Sequence, residues 1–231
     1  AGGEELRDTL CRESVTYTVR RNNIEVAASH RFCNAAPVTI AIYYGMQSMF
    51  EGETHVLTPG GAYTDWTEAA KASTFTKQEY PLFRRYVEKN RQGYQSTWLL
   101  PDGLGDHALL DGQDDIFIYA PYGKSYHKLI GNKRMENGDK TCWRGVYTWF
   151  ETPVADDADL LCYEGSAGGH TAVFIDCKRA CKRTLALPGY LDLRHFGTAE
   201  QNGGIRISAA GRNKLKIKAD APGSCVLLLR E

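Results

Sequence analysis

The sequence predicts an all-β fold, an antiparallel β-sandwich with one short helical insertion, and three observations carry that expectation. Apolar residues alternate at period two along most of the chain, clusters of Gly, Asn and Pro separate the alternating runs, and one stretch alone repeats at helical spacing. Many short strands punctuated by turns are the pattern of sandwiches and related antiparallel architectures. At 231 residues the chain is long enough to bury a large core, and no hydrophilic linker or internal repeat divides it. A single sandwich domain over residues 1–231 is expected.

The alternation starts with Val15, Tyr17 and Val19, continues with Ile24, Val26 and Ala28, and resumes with Val38, Ile40, Ile42 and Tyr44. Arg21-Asn22-Asn23 and Asn34-Ala35-Ala36-Pro37 separate these runs, so the opening reads as a three-strand meander. Further strands are expected at 116–119, 146–150, 160–163, 171–176 and 184–187. The last three, 205–208, 215–218 and 225–229, are separated by Gly211-Arg212-Asn213 and Ala221-Pro222-Gly223. Helical spacing is confined to residues 80–90, where Pro81 suits a first turn and Leu82, Phe83, Tyr86 and Val87 recur on one side. On that helix Arg84, Arg85, Glu88 and Lys89 read as a solvated face.

Lys plus Arg and Asp plus Glu balance at 28 each, which removes any overall field favouring nucleic acid or an anionic membrane. No apolar run reaches the roughly 18 residues of a membrane span, so membrane insertion is not expected. The opening Ala1 to Asp8 has neither the basic start nor the apolar middle of a secretory signal. It reads as what remains after an export signal or lipid anchor is removed, and a periplasmic or cell-surface location is the expectation.

The seven cysteines include no CxxC pair and no zinc-ribbon spacing, so a metal-thiolate site is not expected. Cys33, Cys162 and Cys225 lie in alternating apolar segments and read as small core residues. Cys177 and Cys181 flank Lys178-Arg179-Ala180 and are spaced to bridge a tight turn in an oxidising compartment, although the odd total leaves at least one thiol unpaired.

Aromatic residues are unevenly placed. All four tryptophans, Trp66, Trp98, Trp143 and Trp149, and ten of the thirteen tyrosines fall between Tyr43 and Phe150, so the unusual chemistry sits in the middle. The C-terminal strands read as scaffold, with Lys214, Lys216 and Lys218 sharing one solvated side. In the middle, Tyr94-Gln95-Ser96-Thr97-Trp98 mixes ring faces with amide and hydroxyl groups. The loop that follows, Pro101 to His107, concentrates Asp102, Asp106 and His107 around two glycines, with Asp111, Asp114 and Asp115 close behind. Its oxygen ligands suit calcium or sugar hydroxyls, although its spacing matches no known calcium loop. The run Gly123 to Lys128 sends Tyr126 and Lys128 to one side of a strand and His127 to the other, where an imidazole can act as general base or donor. His30, His55, His170 and His195 read as structural.

A sugar offers an apolar C–H face and a rim of hydroxyls, so flat rings beside fixed polar groups complement it. Trp66, Tyr94, Gln95, Trp98, Asp102, Asp106, His107, Tyr126, His127 and Trp143 are therefore the candidate ligand-binding residues, with carbohydrate the expected partner and no organic cofactor. If the segments at Trp98 and His127 pair, the Asp102 loop lies at their shared end. No GxGxxG, Walker, HExxH, GxSxG or EF-hand pattern is present. The alternatives are a glycosidase, lyase or epimerase, whose two carboxylates need no compact motif, and an assembly protein whose rings form core and interface.

The segment Ile24 to Phe50, IEVAASHRFCNAAPVTIAIYYGMQSMF, resembles the strand-turn-strand passage of the galactose-mutarotase-like β-supersandwich of bacterial carbohydrate-active proteins. With the C-terminal aliphatic strands, which are similar in style to the ends of such domains, the resemblance covers about a quarter of the chain and implies a supersandwich and a carbohydrate ligand. Mutarotases use histidines and a carboxylate, but His30 does not stand in their His-aromatic-Asn context, so no catalytic residue is carried over.

Overall fold

Every stretch read as alternating forms or overlaps a strand in the computed structural model, which describes residues 9–49, 54–57, 64–65, 74–76, 85–100, 115–120, 124–201 and 203–229. In chain order the first strands are β1 (Cys11–Arg20), β2 (Asn23–Phe32), β3 (Val38–Met49), β4 (His55–Leu57), β5 (Thr64–Asp65) and β6 (Thr74–Thr76). The middle supplies β7 (Arg85–Asn90), β8 (Gly93–Leu99), β9 (Asp115–Ala120), β10 (Lys124–Met135), β11 (Lys140–Phe150) and β12 (Ala155–Asp156). The rest are β13 (Leu160–Ala167), β14 (His170–Cys177), β15 (Cys181–Ala186), β16 (Phe196–Gln201), β17 (Arg206–Ala209), β18 (Lys214–Ala219) and β19 (Gly223–Leu229). All pairings are antiparallel.

The expected helix over 80–90 is corrected over 85–90, while 80–84 lie outside the described residues. Among the described residues there is no helix, hence none long and apolar enough to cross a membrane, and 85–90 form β7, paired with β8 through the Arg91-Gln92 turn. Pairing with β4 and β8 overrides the helical spacing, and it buries Val87 at 1% exposure. The three-strand meander is also corrected. β1 and β2 form a hairpin, but β3 leaves the sheet to pair with β10, and β11 takes the place beside β2.

Among the described residues the strands form four sheets: β1-β2-β11-β8-β7-β4-β5, β3-β10-β9-β6, β12-β13-β14-β19-β16 and β15-β18-β17. Alternate residues of one strand enter different cores, which fixes how the sheets stack. On β11, Trp143 packs with Met46 of β3 and Leu129 of β10, while Val146 packs with Leu161, Tyr163 and Phe174 of β13 and β14. On β13 and β14, Cys162 and Ile175 face away from that second core and meet Leu185, Leu215 and Ile217. The order of layers is therefore four-stranded, seven-stranded, five-stranded and three-stranded. The two inner sheets are covered on both faces over much of their area, which is why β13, β14 and β19 read as nearly continuous apolar runs. Each fully buried Leu or Phe here is worth about 1.5–3 kcal/mol relative to exposure.

A column of rings runs through the second core. Tyr94 stacks on Phe150 at 4.7 Å, Phe150 on Tyr163 at 4.4 Å and Tyr163 on Phe174 at 4.8 Å, and Trp98 meets Phe174 edge-on at 5.4 Å. The β13–β14 hairpin turns on Gly168 and Gly169, both at positive φ (58° and 88°), the backbone that a two-residue hairpin loop requires.

Candidate functional site

The rings expected to face a ligand divide sharply. Trp98 is 2% exposed, and Trp143 is 6% exposed with its indole Nε1 donating to Tyr43 Oη at 2.9 Å. Both belong to the cores, because the strands that carry them lie in a sheet covered on both faces at those positions. His127 is wholly buried, and burial pushes its imidazole down to about 3, so the ring is neutral at physiological pH. Strands β8 and β10 lie in different sheets, so the expected pairing of the Trp98 and His127 segments does not occur. Tyr126 stands on β10 opposite Gln47 and Ile118. Trp66, Asp102, Asp106 and His107 lie outside the described residues, as does the loop considered for calcium. Among the described residues no three His, Cys, Asp or Glu side chains gather to hold a metal ion.

Tyr94 and Gln95 are brought to an open cleft of about 920 Å³ at one end of the seven-stranded sheet. Three short segments and the end of β3, which supplies Met49, build it. The β7–β8 turn supplies Asn90, Gln92 and Gly93, the β1–β2 turn supplies Asn22, and the end of β11 supplies Trp149, Phe150 and Glu151. Each segment is locally determined. Asn90 Oδ1 accepts the Gln92 amide at 2.8 Å, closing an Asx turn. Gly93 takes φ 137°, and a Cβ there would stand 3.0 Å from the Phe150 carbonyl. Trp149 N donates to the Asn22 carbonyl at 2.8 Å, which ties the two remaining walls together.

Trp149 is the residue that sequence reasoning missed. It shares a face of β11 with Trp143, Gly145 and Tyr147, yet it is 40% exposed because the four-stranded sheet no longer covers it. Met49 at the end of β3 is itself 61% exposed, marking where that cover stops. The Trp149 ring stacks on Tyr147 at 5.9 Å with an 18° tilt. Tyr147 is in turn fixed: its hydroxyl donates to the Gln47 carbonyl and accepts from the Gln47 amide, both at 3.0 Å. Burial pushes that phenol up to about 12, so it stays neutral and keeps its place as a donor. The platform is thus rigid and half-open. Tyr17 and Val19, 66% and 69% exposed on β1, extend an apolar surface on the same side of the sheet.

A second, smaller hollow of about 450 Å³ also takes Asn22 into its wall and lies between the β1–β2 and β13–β14 turns. There Tyr190 donates to the Glu164 carboxylate, and Arg20 Nη1 donates to the Gly169 carbonyl at 3.0 Å. His30, read as structural, is buried. Its Nε2 lies 2.8 Å from Glu13 Oε2 and its Nδ1 2.9 Å from Thr141 Oγ1, with the three residues abreast on β1, β2 and β11.

Comparison of the chain with protein-family models, with curated proteins and with solved structures gives no match.

Proposed function

We propose that this protein binds carbohydrate, and that its binding surface is the cleft around Trp149. One observation carries the reading. A half-exposed indole, braced from behind by Tyr147, stands beside the amides of Asn22, Asn90, Gln92 and Gln95 and the carboxylate of Glu151. Ring faces take the apolar side of a pyranose, and amides donate to and accept from its hydroxyls.

A glycosidase needs two carboxylates flanking the scissile bond. Among the described residues that line the cleft, Glu151 is the one carboxylate. The antiparallel sheets are consistent with a β-sandwich, and the likeness to the galactose-mutarotase-like supersandwich rests on the sequence of residues 24–50. Polymeric glycans are met chiefly outside the cytoplasm, so export to the periplasm or cell surface belongs to the same reading.

A glycan array followed by tryptophan-emission titration tests it. The hits are expected to shift the emission of the wild-type protein to the blue as the Trp149 ring is dehydrated, and to leave that of Trp149→Ala unmoved. No hit on the array, or the same shift in both proteins, would overturn it. Concentration-dependent self-association through the exposed rings, with no glycan bound, would point instead to an assembly protein.

A further inference from the structure

The outermost sheet turns one face, with Leu185, Leu215 and Ile217, into the core, and turns the other outward. On the outer face Lys182 of β15, Lys218 of β18 and Arg206 of β17 stand abreast in register. The next row is Thr184, Lys216 and Ser208, and Lys214 follows beside Ala186. All eight side chains are exposed, and they line or adjoin a shallow groove of about 270 Å³. Five cations thus occupy the outer face of three short strands, in a chain whose overall charge is zero. Asp220 partners two of them, Arg206 at 2.5 Å and Lys218 at 3.5 Å. Lys182, Lys214 and Lys216 have no carboxylate partner among the described residues.

Folding alone does not explain this arrangement. Like charges directly opposite on neighbouring strands, about 4.8 Å apart, are destabilising. Lysines on edge strands guard against edge-to-edge pairing, but Lys214, Lys216 and Lys218 all belong to β18, the central strand, which is already paired on both sides. A face that accepts this repulsion is relieved by a partner that brings repeated negative charge.

We infer that the outer face of the three-stranded sheet binds an acidic polysaccharide, whose carboxylates meet the lysine rows and whose hydroxyls meet Thr184 and Ser208. The inference deepens the carbohydrate reading by naming a polymer class, and it uses a different surface from the Trp149 cleft. Charge complementarity selects a polyanion, and the rest of the face selects which one. Among the described residues no aromatic side chain lines the groove, so these offer single-stranded nucleic acid nothing to stack on. The large exposed apolar side chains among the described residues, from Leu10 to Tyr190, all lie on other elements, so nothing on this face inserts into a bilayer.

The experiment measures polygalacturonate binding at low and high salt by the wild-type chain, by Trp149→Ala and by the triple variant Lys182→Gln, Lys216→Gln and Lys218→Gln. Neutral dextran, duplex DNA and anionic phospholipid vesicles serve as comparison probes. The expected result is wild-type binding that weakens as salt rises, with a loss of about tenfold or more in the triple variant. The melting temperature should hold or rise slightly, since the three side chains are solvated and their replacement relieves the repulsion between Lys182 and Lys218. Polygalacturonate binding that the triple variant retains would overturn the inference, as would tighter binding of DNA or vesicles, or no polygalacturonate binding at all. Lysine-dependent polygalacturonate binding that persists in Trp149→Ala, with no neutral glycan bound by any variant, would sustain this inference while the Trp149 reading fails. Array glycans lost only in Trp149→Ala, without polygalacturonate binding, would do the reverse.

Discussion

Lys178 Nζ lies 2.6 Å from Asp156 Oδ1, and both side chains are only 9% exposed. The other carboxylate oxygen accepts Lys89 Nζ and the Tyr94 hydroxyl, each at 2.7 Å. Asp156 thereby ties β7 and β8 of one inner sheet to β12 and the end of β14 in the other, beside the aromatic column. Burial alone would raise its pKa, but the hydrogen bonds from Lys178, Lys89 and Tyr94 outweigh it and hold the carboxyl below its ordinary range.

A pH dependence follows from that direction. A carboxyl whose folded pKa is depressed contributes stability that is fully present above its unfolded value, about 3.9, and is lost as pH falls through the folded value. Asp156→Asn should cost on the order of 3 kcal/mol at pH 7, since it removes the buried carboxylate charge that Lys178 and Lys89 both bond to. The gap to wild type should narrow below about pH 4. Urea denaturation from pH 3 to 7 checks both. A gap that stays constant with pH would show that the carboxylate charge is not what matters.

Trp98 and Trp149 should behave in opposite ways. Trp98→Ala empties a site between Phe174 and Val146 in the second core and should cost about 3–5 kcal/mol. Trp149→Ala removes a half-exposed ring and should cost far less. Thermal melting of the two variants side by side decides the assignment. A stable Trp98→Ala would mean that the ring is not the core residue described above.

All seven cysteines are free thiols, and they differ in burial. Cys162, Cys177 and Cys225 are buried, and burial pushes the Cys162 thiol up to about 12. Brief native iodoacetamide treatment should therefore label Cys11, Cys33, Cys142 and Cys181 first and spare the other three. Cys33 proves half-buried just past β2 rather than a core residue, which accounts for its place in the first group. Peptide mapping reads the order, and equal labelling of all seven would contradict it. Cys177 and Cys181 lie with sulfurs 3.9 Å apart, close enough for a mild oxidant to join them with little movement.

The strands were legible because period-two alternation is a local signal. Leu160 to Tyr163 and Cys225 to Leu229 stand out without any knowledge of their neighbours. The pairing of β2 with β11 was not legible, since nothing near His30 announces Thr141 as its partner. The segment at 80–90 misled because Leu82, Phe83, Tyr86 and Val87 fit helical spacing, while the pairing of β7 with β4 and β8 is long-range information. Aromatic character was visible at Trp98, Trp143 and Trp149 alike. What separates them is where the covering sheet stops, and only Met49, at the end of β3, marks that limit.

The most direct measurement is the affinity of the array-selected glycan for wild type and Trp149→Ala by isothermal titration calorimetry, with both melting curves recorded alongside. Loss of a stacking ring should weaken binding by about 1–3 kcal/mol while the melting temperature stays close to wild type. Unchanged affinity, or an equal loss on substituting the buried Trp143, would contradict a carbohydrate surface centred on Trp149.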